Sequence, residues 1–440
     1  MKISSTIRIR SLLILISIML LAISCNRSNS STTQKRILEI AIFEGAYGDL
    51  YWKEIIKRFE NKNPDITISM ISSPRIEEVI RARNIAGNPP DFVYLTSMDL
   101  TNTMVTNGDI LPLNDVFDSD LEKTILDGFL DYCKPMDDGN IYFAPAYYAV
   151  TGLWYNKKLF EKQEWKLPET WDDFYNFNIK AKSINSSLLT YQGLYPSYNE
   201  AILIPAIASS GGLELLNRIK TYEKLIWTNP EVLKALDIFN TIYQNNFILP
   251  GTVALNHTQA QREFIQGRAL FIPCGSWLPF EMESIVNNEE FSFGFYGSPV
   301  FQSGDDPYIL TIFENFFIPQ KARNIDDAKK FLRFHYEIEN IILNAKLSSG
   351  VMPVKGALEL VRDYLDPSTY EAYRIFDEGA KPVRLNLNLI PGFNIDFQSE
   401  LYDPITQIME GKINSIQWAE KLNILNEKIL SSNEKRENTN

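Results

Sequence analysis

Histidine and cysteine are scarce in this 440-residue chain, which has two histidines, His257 and His335, and three cysteines. That supply is too thin for a zinc site, an iron–sulfur cluster or a His-based catalytic triad, so no metal and no cofactor is expected. The signatures G-x-S-x-G, H-E-x-x-H and G-x-x-x-x-G-K-[ST] are missing as well, and no carboxylate pair stands out, so no enzyme activity is expected. Basic charge is in deficit: 43 Lys and Arg against 55 Asp and Glu give a net charge of −12, which argues against nucleic acid as a partner. No internal repeat of 20–50 residues is visible. What remains is an ordinary folded composition, 45% hydrophobic, 22% charged and 12% aromatic, on a chain long enough for two or more lobes.

Residues 1–24 differ from the rest. Lys2, Arg8 and Arg10 precede the apolar run Leu12–Ala22, which is cut off by Ser24, Cys25 and Asn26. This is the layout of a secretory signal, and it is short of the roughly 20 apolar residues a spanning helix needs. Leu21-Ala22-Ile23-Ser24-Cys25 resembles a bacterial lipobox, with Ala22 where Leu is usual. The resemblance implies cleavage before Cys25, its lipidation and anchoring of the mature chain to the membrane from outside the cytoplasm. Residues 25–36, rich in Ser, Thr and Asn, read as a flexible tether.

After the tether the pattern alternates. Arg36–Phe43 is a β-branched apolar run. Trp52, Ile55, Ile56 and Phe59 then recur at helical spacing behind Asp49, a candidate cap. Ile66, Ile68 and Met70 alternate as a strand, Ile76, Val79 and Ile80 mark a helix, and Asp91–Leu95 is a third strand. Such β-α-β-α-β order predicts a parallel sheet whose ligands lie beyond the carboxyl ends of its strands. The loops after the first and third strands therefore carry the candidates Glu44, Tyr47, Ser97 and Asp99, and the two carboxylates there are also candidate helix caps. Farther on, Val232, Leu236, Phe239 and Tyr243 share one helical face, and Ala328, Phe331, Leu332 and His335 another. Ile416, Ala419 and Leu422 begin a last helix, and all three faces read as core. Residues 431–440 read as a polar, frayed tail.

Several segments, in order, resemble family 1 extracellular solute-binding proteins, the receptors of carbohydrate ABC importers. They are Gly139-Asn140-Ile141-Tyr142-Phe143-Ala144-Pro145 with Leu153–Phe160, Pro168-Glu169-Thr170-Trp171-Asp172-Asp173-Phe174, Gly267-Arg268-Ala269-Leu270-Phe271 with Gly275-Ser276-Trp277, Glu314–Gln320, and Gly350-Val351-Met352-Pro353-Val354. The resemblance spans about residues 37–430 and departs from the family pattern at Cys274. It implies an α/β, two-lobed periplasmic-binding-protein fold of type II. Lobe one is expected at 37–147 and 305–352, lobe two at 148–304 and 353–430, with the chain crossing a hinge between them. In that layout Cys133 and Cys274 sit in different lobes, and a disulfide would tie lobes that must move, so two free thiols are expected.

A sugar site needs flat aromatic faces with polar groups around them. Trp277 is the leading candidate, because the family's tryptophan at this motif commonly stacks on a sugar ring. Tyr147 and Tyr148 lie where the chain approaches the crossing, and at least one is expected to face the cleft. Asn315 and Phe393 are further ligand candidates, and Tyr191 and Tyr195 are possible lining residues of lobe two. The implied partners are a carbohydrate ligand, the permease subunits of an ABC importer with a separate ATPase, and the membrane through the lipid; the chain is expected to be a monomer. Three other readings stay open from sequence: the same fold binding a polyamine, oxyanion, iron complex or peptide, a receptor without a transporter, and a lipid-anchored enzyme acting on glycans.

Overall fold

The computed structural model describes residues 35–437 apart from 46–47, 97, 128, 137, 287–288 and 388–396. Strand β1 (Arg36–Phe43), helix α1 (Leu50–Lys62), β2 (Ile66–Ser73), α2 (Ile76–Ile85) and β3 (Phe92–Leu95) appear in the expected order, with β2 and β3 each parallel to β1. Strand β4 is long, Ala144–Asn156, and buried through its first eleven residues. After it come β5 (Ser187–Leu189), helix α3 (Glu200–Lys220, interrupted at Gly212), α4 (Pro230–Gln244), α5 (His257–Ile265), β6 (Ala269–Gly275), β7 (Phe293–Tyr296) and β8 (Tyr308–Phe317). The chain closes with α6 (Ile325–His335), β9 (Lys381–Val383) and α7 (Ser415–Glu437), with further helices between them, among them Phe397–Met409.

The sheet runs β2-β1-β3-β8-β4-β6-β5, with β7 on β4 and β9 on β8. Two strands join its halves. β8 pairs antiparallel with β3 through Asn315–Phe317 and with β4 over most of its length. β4 pairs with β8 from Ala144 to Thr151, and from Thr151 to Asn156 with β6 and β7. The buried side chains likewise form two large clusters. One gathers around Ile40, Trp52, Phe59, Phe92, Phe316 and Phe331, the other around Phe160, Phe174, Ile202, Trp227, Phe239 and Trp418. Burying each such large apolar side chain contributes on the order of 1.5–3 kcal/mol, and the first cluster also takes in Phe264, Ile272, Leu278 and Phe293 from beyond the crossing, so the apolar packing is continuous through it.

His335 is fully buried in the first cluster. Its Nδ1 lies 2.6 Å from the Tyr51 hydroxyl, and its ring packs among Trp52, Phe92, Phe316 and Phe331 at centroid distances of 4.7–5.8 Å. Burial pushes this imidazole down to about 3, so it stays neutral. Cys133 and Cys274 are both free and buried.

Four local expectations are corrected. Asp49 precedes α1 but makes no side-chain cap bond, because its carboxylate pairs with Lys53 at 2.6 Å instead. Tyr243 is 39% exposed, since the buried face of α4 is Val232, Ala235, Leu236, Ile238, Phe239 and Ile242, and Tyr243 falls at its edge. Ile416 is 56% exposed, the buried stripe of α7 being Trp418, Ala419, Leu422, Leu425 and Ile429. α7 also continues to Glu437, into the stretch expected to fray, because Glu and Lys there are good helix formers. Among the described residues no helix is long and apolar enough to cross a membrane.

Candidate functional site

The register of β4 assembles the candidate site. Tyr147 stands opposite Glu314 and Tyr148 opposite Phe313, the Ser276 amide donates to the Val150 carbonyl at 2.9 Å, and Thr151 stands opposite Gly275. Glu314, Phe313 and the Gly275-Ser276-Trp277 turn therefore meet one stretch of five strand residues, about 13 Å long at the usual rise. This is the stretch where β4 leaves the first half of the sheet for the second.

At the β3 side, Leu95 pairs with Asn315, so the next residue of β8, Glu314, lies just past the carboxyl end of β3. Its carboxyl accepts a hydrogen bond from the Tyr94 hydroxyl, and burial pushes it up to about 7 against that bond. Glu44, just past β1, accepts from the Ser72 hydroxyl at 2.8 Å. Asn315 is 9% exposed. Tyr147 and Tyr148 are 2% and 6% exposed. The Tyr147 ring packs edge-on against Tyr94 at 5.5 Å, and the Tyr148 ring stands between Phe129 at 5.2 Å and Tyr373 at 4.9 Å, so in this structure neither ring offers an open face.

At the β6 side, Trp277 is half-buried. Its ring folds back over Gly275 so closely that any Cβ at that position would collide with it, which is why glycine stands there. The ring of Tyr198 packs edge-on against it at 6.4 Å. The turn is tied to the crossing strand through Tyr373: the Ser276 hydroxyl donates to the Tyr373 hydroxyl at 3.0 Å, and that hydroxyl donates to the Tyr148 carbonyl at 2.6 Å.

Of the remaining expected residues, Tyr191 is fully buried and Tyr195 is 50% exposed. Asp99 lies in the helix Met98–Thr106. Tyr47, Ser97, Phe393 and the Cys25 lipobox lie outside the described residues, as does the side chain of Asp99.

The structure adds a group that the sequence reading missed. Phe313 packs against Phe129 at 4.5 Å and stacks on Tyr132 at 4.9 Å, and the Arg384 guanidinium sits over its ring at 5.0 Å. Glu200, at the start of α3, approaches Arg384 and hydrogen-bonds Tyr402, and burial pushes its carboxyl up to about 7. Burial also lowers Arg384, with Glu200 opposing that shift most strongly. One signal was available: Arg384 is the cation among the Leu and Asn residues of Val383–Leu389, an alternation that marks one apolar and one polar face.

A surface groove of about 690 Å³ lies elsewhere, between α1 and the helix Ile338–Ser348, lined by Lys53, Lys57, Arg58 and Lys346 among others, and contains none of the expected ligand residues. Among the described residues no group of three His, Cys, Asp or Glu side chains is arranged to hold a metal ion.

Comparison with known proteins fits this architecture. The chain matches the bacterial extracellular solute-binding protein family over residues 45–340, about two thirds of its length. It is 24% identical over 307 residues to the diacetylchitobiose binding protein of Streptomyces coelicolor, an alignment covering 67% of this chain and 65% of that protein. It is 26% identical over 367 residues to the multiple sugar-binding protein of Streptococcus mutans, covering 80% of this chain and 83% of that one. Among solved structures, a chitin oligosaccharide binding protein superposes with a TM-score of 0.72 at 20% identity, over 90% of this chain and 99% of that one. The fold is accordingly the two-lobed α/β arrangement of periplasmic solute-binding proteins.

Proposed function

We propose that the chain, which belongs to the bacterial extracellular solute-binding protein family, captures a mono- or oligosaccharide outside the cytoplasm and delivers it to the permease of an ABC importer. The observation that carries this reading is the five-residue stretch of β4 that collects Trp277, Phe313 and Glu314 where the sheet passes between its halves. An aromatic face suits the C–H face of a sugar, and carboxyls suit its hydroxyls. The names of the relatives, two of which bind sugars, support the same class.

The binding contacts proposed are Trp277, Tyr147, Tyr148, Glu44, Tyr47, Ser97, Asp99, Asn315 and Phe393, with Glu314, Phe313 and Arg384 added from the structure. Lobe one spans 37–147 and 305–352 and lobe two 148–304 and 353–430, and the protein acts as a monomer. Closure of the two lobes on the ligand signals occupancy to the permease, and energy comes from a separate ATPase. The chain performs no covalent chemistry, in keeping with a family of binding proteins.

A thermal-shift screen of the chain from Ser28 onward tests the ligand class, with saccharides against amino acids, polyamines and oxyanions. Ligand at 100 times its Kd adds about 2.7 kcal/mol to stability, a readily visible shift. A saccharide response is expected, and a response to a control class alone would overturn the carbohydrate reading. We further propose that Cys25 carries a lipid that holds the protein at the membrane. Radiolabelled palmitate should enter the wild-type chain and not Cys25→Ser, and equal labelling of both would remove the anchor.

A further inference from the structure

We infer that His257 and Glu281 are positioning residues that hold Tyr198, and through it the ring of Trp277, in place; the inference builds on the proposed role of Trp277 in the ligand site. Three segments remote in sequence converge there. Tyr198 comes from the turn Pro196–Asn199 that leads into α3, His257 opens α5, and Glu281 lies on the short helix Leu278–Met282 that Trp277 itself begins. The Tyr198 hydroxyl is 2.7 Å from His257 Nδ1, and His257 Nε2 is 2.5 Å from a Glu281 carboxylate oxygen. The other Glu281 oxygen accepts from the Gln261 amide at 2.8 Å, and the Glu281 backbone amide donates to the Trp277 carbonyl at 3.0 Å.

The chemistry fixes a direction along this chain. A carboxylate at Nε2 favours the proton there, which leaves Nδ1 as an acceptor and makes the Tyr198 hydroxyl the donor. Burial holds the Tyr198 phenol well above its ordinary range, so it keeps that proton. A phenol tied at its tip cannot swing, and the Tyr198 ring, in T-shaped contact with the indole of Trp277, then limits the movement of that indole together with its close contact over Gly275. A ring already oriented loses less freedom when a ligand stacks on it, which raises affinity without any new contact. His257 and Glu281 are each only partly buried, with side-chain exposures of 25% and 19%, so the pair sits near the half-exposed Trp277 rather than deep in the core.

The test needs no ligand. Acrylamide quenching of Trp277 emission is obtained by subtracting, in each background, the emission of the Trp277→Phe variant, which isolates it from the other six tryptophans. His257→Ala, Glu281→Ala and Tyr198→Phe should each raise the quenching constant about twofold, near the lower end of the coupling between contacting residues. His257→Ala should add nothing in the Tyr198→Phe background, because its action passes through the hydroxyl. His257→Asn, whose amide oxygen can take the Tyr198 proton, should restore the wild-type value and shows that the site tolerates substitution. Additive effects of His257→Ala and Tyr198→Phe, or unchanged quenching in His257→Ala, would overturn the assignment. Absence of any saccharide binding alongside the expected quenching pattern would instead sink the carbohydrate reading and leave the positioning role standing.

Discussion

At the scale of the residue, Trp277 carries the sharpest expectation. The half-buried indole packed over Gly275 is the proposed platform, and stacked or interfacial aromatics of this kind are worth about 1–3 kcal/mol. Trp277→Ala should therefore weaken saccharide binding by roughly 10- to 100-fold in calorimetry, with the unfolding transition followed alongside because the ring also packs on Gly275 and Tyr198. Unchanged affinity would remove Trp277 from the site. This residue was legible because a short motif, Gly275-Ser276-Trp277, carries it. Glu200 and Phe313 were not, because they meet Arg384 only through folding, from positions 184 and 71 residues away, and only Arg384 has a local alternation to mark it. The two histidines taught a similar lesson. Their scarcity made His-based catalysis and a zinc site poor expectations, and each histidine has a hydrogen-bonded place, His335 to Tyr51 in the core and His257 to Tyr198.

At the scale of the element, the first half of the sheet could be read almost strand by strand, because β-branched runs and helical spacing alternate cleanly from Arg36 to Leu95. The long crossing strand β4 announced itself less well. It is buried on both faces and so shows no alternation, and its role lies in its partners. The helix α6 supplies a prediction of its own through His335. The imidazole titrates near 3 when folded and near 6.5 when free, so an unfolded chain takes up a proton that the fold refuses. Stability from this group is complete above pH 6.5 and is lost as the pH falls toward 3, by at most about 1.4 kcal/mol per unit. Glu200 and Glu314 act with the opposite sign. Each titrates near 7 when folded against 4.5 when free, so the folded chain holds the extra protons and stability declines as the pH rises from 4.5 to 7. In urea unfolding, a Glu200→Gln, Glu314→Gln double variant should therefore lose stability on acidification from pH 6.5 to 5 more steeply than the wild type, and adding His335→Phe should flatten that loss. Identical pH profiles for the double variant and the wild type would show that neither carboxyl is held protonated by the fold.

At the scale of the whole molecule, the two halves of the sheet are joined through two shared strands, β4 and β8. If the halves close on a ligand, as proposed above, these strands carry the bend while their hydrogen bonds keep the register on either side. Arg384 makes that bend consequential. It follows β9, rests on the Phe313 ring of β8 and lies among Tyr132, Glu200 and Tyr402, groups drawn from chain segments on both sides of the crossing. A ligand that adds contacts to both halves at this place stabilises the approached state by the difference between its contacts in the two states, and a ligand held by one half alone does not. Small-angle scattering should then show the radius of gyration fall on addition of a saccharide that gives a calorimetric signal, and stay constant with one that gives none. Binding confirmed by heat with an unchanged radius would mean capture without closure, and the coupling of occupancy to the permease would need another carrier than the two crossing strands.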